Sequence, residues 1–238
     1  MPRHARVAPG GLVYHALNRA TARLPLFESD ADFEAFERVI DYAMARHPTR
    51  VLAYCVMPNH WHFVLWPRRD GELSAFLRCV AHTHTQRWHA HRGTAGTGHV
   101  YQGRFKSFAV ARDEHLLGVG RYVERNALRA GLVERAQERR WCSLWRRERG
   151  DDAARALLSE WPVDRPADWV RRVNRAETED ELAALRLSLK RGCPYGPPLW
   201  QRRTVERYGL QFTMRPPHRP RKDRDAAGAG RRGALRQK

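Results

Sequence analysis

Apolar residues recur along this chain at two spacings. Phe33, Phe36, Val39, Ile40 and Ala43 lie three or four apart, which places them on one stripe of a helix from Asp30 to about Arg46. Leu73, Phe76, Leu77 and Val80 repeat the pattern in a second helix, from Glu72 to about His91. Leu116, Val119 and Val123 do so in a third, from about Glu114 to Arg129, with Asp113 as its cap and Gly131 as its C-terminal stop. Between the helices lie stretches rich in β-branched and aromatic residues: Val13 to Leu17, Tyr54 to Trp66, and the second half of residues 99–110. These read as strands. Pro58 and Asn59 are unfavourable inside a central strand, so the second strand is expected to bend, bulge or lie at an edge there. The order is strand, helix, strand, helix, strand, helix, with a small flexible loop over residues 93–98.

Beyond Gly131 the pattern loosens. Trp141, Trp145, Trp161, Trp169 and Trp200 stand among many arginines. Helices are expected at about 151–160, 166–174, 178–190 and 198–208, the last two separated by the Gly- and Pro-rich run Gly192 to Pro198. From Arg215 the chain is rich in Pro, Arg and Gly, which predicts a basic tail without fixed structure. The expected division is therefore 1–135, a helical region 136–214, and a tail 215–238.

Charge narrows the partners. The formal net charge is +18 and the pI about 10.9, a surplus that favours polyanions. No apolar run approaches the length of a membrane span, and Met1 to Arg6 lacks the apolar stretch of a signal peptide, so a cytoplasmic protein is expected. The four cysteines (Cys55, Cys79, Cys142 and Cys193) form no Cys-x-x-Cys pair and read as free thiols.

Candidate chemistry begins at Asn59-His60-Trp61-His62. Side chains alternate along a strand, so His60 and His62 point one way, about 7 Å apart along the backbone, while Trp61 points the other. Two imidazoles on one face can converge on a metal ion; alone, the spacing is a weak signal. Tyr122 and Asn126 lie four apart on the third helix and share a face. His82, His84, His89 and His91 read as a basic, phosphate-facing end of the second helix. Arg104 and Lys106 alternate with the aromatics Tyr101, Phe105 and Phe108, a mixture suited to stacking bases and neutralising phosphates of a single strand. For Phe105 the reading is instead the aromatic core face of a solvated antiparallel edge.

Together these segments resemble the REP-associated tyrosine transposases of the HUH single-strand endonuclease superfamily. Asn59 to His62 resembles the His-hydrophobic-His motif. Gly98-His99-Val100-Tyr101-Gln102-Gly103-Arg104-Phe105-Lys106-Ser107 is similar to a signature segment, with Tyr101 where Trp is usual. Tyr122 to Leu132 resembles the tyrosine helix, with Ala127 where Pro is frequent. The resemblance implies an α+β fold, an antiparallel sheet with packed helices of the ferredoxin- or RRM-like kind, with residues 1–135 as the catalytic domain. It implies Tyr122 as nucleophile, and His60, His62 and Asn126 as ligands of Mg²⁺ or Mn²⁺. The expected DNA contacts are Asn18, Arg19, Tyr101, Arg104, Lys106, Arg129, Arg219, Arg221 and Lys222. The implied activity is cleavage and strand transfer of single-stranded DNA at hairpin-forming repetitive extragenic palindromic (REP) elements, through a 5′-phosphotyrosine, by a nucleoid-associated bacterial monomer or homodimer. The alternatives are a catalytically idle hairpin-binding regulator and a rolling-circle nicking enzyme.

Overall fold

The computed structural model describes residues 7–215. Arg219, Arg221 and Lys222, and the expected tail, lie outside the described residues. Four strands form one antiparallel sheet: β1 (Val13–Arg19), β2 (Arg50–Met57), β3 (His60–Trp66) and β4 (Lys106–Val110), in the order β2-β3-β1-β4. Among the described residues ten α-helices accompany them: α1 (Asp30–Arg46), α2 (Glu72–Arg92), α3 (Glu114–Glu124), α4 (Asn126–Arg129), α5 (Ser143–Arg149), α6 (Asp152–Ala156), α7 (Trp169–Asn174), α8 (Glu179–Arg191), α9 (Pro198–Tyr208) and α10 (Gln211–Met214). This is the expected α+β class.

One expectation needs correction. Tyr54 to Trp66 is not a single bent strand but a hairpin, with Met57 opposite His60 across the two-residue turn Pro58-Asn59. The two residues that argued against a central strand are the ones a tight turn favours: Pro fixes φ and gives up an N–H, and Asn accepts turn geometry. The histidine pair therefore opens the return strand, and the sheet gains a fourth strand.

Helices cover both faces, so the central strands are apolar on both sides instead of cleanly alternating. One face carries Tyr14, Ala16, Tyr54, Trp61, Phe63 and Leu65 against α1 and α2. All five residues of the expected α1 stripe are buried there, and burying each large apolar side chain contributes roughly 1.5–3 kcal/mol. The other face carries Val13, Cys55, Val64, Phe108 and Val110 against Leu116, Val119 and Val123 of α3, and Trp169, Val173, Leu182 and Leu185 of the C-terminal helices. Gly120 makes room for this packing: a Cβ there would lie 2.1 Å from the Trp161 ring.

The third helix also differs from expectation. It breaks at Arg125, which joins α3 to the single turn α4. Asp113 caps it as expected, its carboxylate accepting from the His115 N–H at 2.9 Å. All four cysteines are free. No helix among the described residues is long and apolar enough to cross a membrane.

Candidate active site

The site lies on the sheet face beneath α3. Across the β1–β3 ladder, Arg19 pairs with His60 and Leu17 with His62; by alternation His15, Leu17 and Arg19 share the histidine face. The His60 and His62 rings stand 5.0 Å apart between centroids. Tyr122 descends from α3 onto this pair, its ring 6.0 Å from His62 and 6.1 Å from His15, edge-on to both. Asn126 is buried one turn later and its amide makes no hydrogen bond to any described residue.

Each histidine has a held orientation. The Asn59 amide nitrogen donates to the Arg23 carbonyl at 3.2 Å, so its oxygen faces His60 Nδ1 at 2.6 Å. A neutral His60 must therefore carry its proton on Nδ1, leaving the Nε2 lone pair free. His62 Nδ1 meets His15 Nε2 at 2.9 Å. If His62 donates in that bond, its own Nε2 also keeps a free lone pair, and the His15 proton sits on Nδ1, a buried atom with no partner among the described residues. Burial, seconded by the charges of Arg19 and Arg129, lowers the His60 pKa to about 4. Burial holds His62 well below its ordinary value, with His60 and His15 adding to the effect. Burial and then Arg129 bring His15 down to about 3. All three imidazoles are thus neutral at neutral pH, the form that binds metals.

Sequence reasoning placed His15 in a strand and gave it no role. The missed signal was its alternation with Leu17 and Arg19 on the strand that pairs with β3. Also missed was Glu177, whose nearly inaccessible carboxylate takes Arg129 at 2.9 Å and Arg125 at 3.3 Å. Arg129 also donates to the Tyr122 carbonyl at 3.3 Å and lies over the Tyr122 ring, 4.1 Å from its centroid. Arg129, expected as a DNA contact, is thus held by Glu177 and the Tyr122 carbonyl. Glu177→Ala would strand two largely buried guanidinium groups; we expect a loss of roughly 3–5 kcal/mol in denaturant-unfolding stability. A loss below about 1 kcal/mol would mean that the pair is solvated in solution.

The chemistry of these side chains suits an ion at His60 and His62: two neutral imidazoles, the Nε2 lone pair of His60 free and that of His62 free when His62 donates to His15, with a carboxamide nearby that bonds to no described residue. Among the described residues, the cluster of three His, Cys, Asp or Glu groups close enough to share an ion is Asp113, Glu114 and His115, at the start of α3. There the Asp113 carboxylate already serves as the helix cap.

Residues 10–126 match the profile of the family described as transposase, IS200-like. That part of the chain belongs to the IS200-like transposase family. Membership carries an enzymatic, DNA-processing role. Among solved structures, a REP-associated tyrosine transposase bound to a REP hairpin is similar in fold, with a TM-score of 0.50 and 20% identity over 69% of this chain and 93% of that one. A protein from Deinococcus radiodurans R1, described as a candidate transposase, is 13% identical over 55% of this chain and 95% of that one, with a TM-score of 0.36. No curated protein sequence matches this one.

Burial bears on several further expectations about this IS200-like domain. Tyr101 is not an exposed stacking platform: it is buried on the α1/α2 face, accepting from Trp61 Nε1 at 2.9 Å and meeting His84 Nδ1 at 2.7 Å. Phe105 and Phe108 are buried as well. Burial, then the charge of Arg92, lowers His84 to about 3, so it is a neutral core group and not part of a phosphate-facing cluster. His82 does face outward. Asn18 is buried, its amide donating to the Gly103 carbonyl at 3.3 Å. Arg19 stands apart. Its Nε is buried and unpartnered, and its guanidinium makes no hydrogen bond or ion pair with any described residue. Arg104 and Lys106 are exposed.

Proposed function

We propose that this chain cuts and transfers single-stranded DNA beside a REP-type hairpin, with Tyr122 as nucleophile. The observation that carries the reading is the Tyr122 ring seated 6.0 Å from His62 over the histidine pair. In the reaction the Tyr122 oxygen bonds to phosphorus and the P–O3′ bond breaks. The products are a 5′-phosphotyrosine and a 3′-hydroxyl, the phenolic proton passing through solvent to the leaving oxygen.

His60, His62 and Asn126 would hold a Mg²⁺ or Mn²⁺ ion. Such an ion, when bound, supplies polarisation of the phosphate oxygens and neutralises charge that develops on them. The protein's own residues do the positioning. Asn59 and His15 fix the two imidazoles, Arg129 steadies the tyrosine from above, and Arg19 offers an uncompensated cation beside His60. An ordinary tyrosine, with a pKa near ~10, is a weak nucleophile at neutral pH, so this placement has to carry much of the rate.

The test is a labelled hairpin with a single-stranded flank, incubated with the protein and Mg²⁺ or Mn²⁺ and run on a denaturing gel. A covalent protein–DNA adduct is expected with the single-stranded flank and not with the same sequence as perfect duplex. Equal rates on both would overturn the reading, and tight hairpin binding without any adduct would mark a regulator.

The tautomer argument has its own check. His15→Phe removes the acceptor that directs the His62 proton to Nδ1. Mn²⁺ affinity measured by calorimetry should fall about 10–100-fold, the usual cost of losing such a support. His15→Gln, which keeps an acceptor, should lose less. Unchanged Mn²⁺ affinity in His15→Phe would remove His15 from the site.

A further inference from the structure

We infer that α8 forms one wall of a track for the sugar-phosphate backbone of a single DNA strand, with Arg186 and Lys190 as its phosphate contacts. The inference rests on the single-strand reading above and extends it to a helix outside the region that matches the transposase profile.

The track begins at the active site. A cavity of about 410 Å³ is bounded on one side by Leu17, Asn18 and Arg19 of β1 and on the other by Arg186, Leu189 and Lys190 of α8, with Arg104 and Lys106 between them. It continues into a second cavity of about 530 Å³, which shares Gly103, Arg104, Lys106, Leu189 and Lys190 and adds Arg191. Arg19 is the cross-strand partner of His60, so one end of the trough opens beside the metal-ligand candidates.

The charge on this surface is one-sided. Among the described residues no Asp or Glu lines either cavity. Arg19, Arg104, Lys106, Arg186, Lys190 and Arg191 form no ion pair among the described residues, whereas Arg121, Arg125 and Arg129 close by are each matched to a glutamate. Unbalanced cations along a groove are what a polyanionic backbone requires, and a groove of this kind follows a strand without reading its sequence.

Core packing and an ion pair set the placement of α8. Leu182 and Leu185 are buried in the core beneath it. Glu181 in its first turn holds Arg121 of α3 at 2.5 Å, and its packing partner in the sheet is the edge strand β4. Arg186 and Lys190, four apart, then share the outward face, exposed above the trough. A cation at Lys190 also suits the helix dipole, but Arg186, a turn earlier, gains little from it.

The test uses the full chain and a fluorescent, unstructured single-stranded DNA, with affinity measured from 50 to 200 mM salt. Arg186→Gln/Lys190→Gln removes two cations from α8. Arg38→Gln/Arg46→Gln removes two exposed cations from α1, which lines neither cavity. If two phosphate contacts are lost, the log–log salt slope falls by about 1.4, so the affinity lost across that salt range shrinks about sevenfold. The α8 pair should show this and the α1 pair should keep the wild-type slope. Equal slopes in the two variants, changed or unchanged, overturn the inference and leave the tyrosine reading standing. A wild-type protein that does not bind the strand overturns both.

Discussion

Tyr122→Phe should yield no covalent protein–DNA adduct while leaving hairpin affinity and folding intact. The substitution removes one oxygen and nothing else of the packing. The ring keeps its edge contacts with His15 and His62 and its place under the Arg129 guanidinium. The hydroxyl has no hydrogen-bond partner among the described residues, so its loss should change stability by less than about 1 kcal/mol. Adduct formation should drop by roughly 10⁴-fold or more, the scale expected when a nucleophile is deleted outright. The readout is a single-turnover time course on the single-stranded hairpin, set beside binding measured on the same preparation. Adduct in undiminished yield would rule Tyr122 out.

The second large effect is on stability in acid. His15 and His84 have pKa values lowered to about 3, and His60 to about 4; His62 is also held well down. The ordinary value, kept in the unfolded chain, is about 6.5. A histidine that is harder to protonate when folded stabilises the fold fully above pH ~6.5. That contribution is lost as pH falls toward the folded-state value, because the unfolded chain takes up the proton first. Each such group adds up to about 1.4 kcal/mol per pH unit. The window runs from about 6.5 down to about 4 for His60, and down to about 3 for His15 and His84. Against a typical total stability of about 5–15 kcal/mol, the protein should unfold well before pH 3. Urea denaturation at half-unit steps between pH 7.5 and 4.5 measures the slope. His84 lies on the sheet face away from Tyr122, so His84→Gln should reduce the slope by about 1.4 kcal/mol per unit without touching the DNA chemistry. A stability flat between pH 6.5 and 5 would refute the buried-neutral assignment.

The parts of this molecule that were legible in the sequence are those set by local periodicity. The α1 stripe, the α2 stripe and the Asp113 cap follow from spacing and capping chemistry alone. The fold class, and the expectation that Tyr122 is a nucleophile, came from three motifs in order and not from periodicity. What local pattern could not supply is which strand lies beside which. His15 and Arg19 became part of the site only because β1 pairs with β3, a contact across more than forty residues of chain. The hairpin at Pro58-Asn59 was hidden because both of its strands are apolar on both faces, so no alternation marked the reversal. The burial of Tyr101 and the pairing of Arg129 were hidden for a related reason. An aromatic or a cation in a basic segment looks available until its partner is known, and His84 and Glu177 are distant in sequence.

The end of the profile match at residue 126 falls inside a buried network. Glu124, fully enclosed in α3, accepts from Ser143 Oγ at 2.6 Å and from Trp169 Nε1 at 2.7 Å. Burial raises the pKa of its carboxyl while those two bonds pull it back. A fragment cut at the profile boundary would keep the acid and lose both donors, along with Trp161, which fills the space over Gly120. The helix that carries Tyr122 would then be roofed by water on its outer side. The homology unit and the folding unit are thus different lengths of the same chain, and the shorter one has no intact floor-to-roof core on which to hold a tyrosine still.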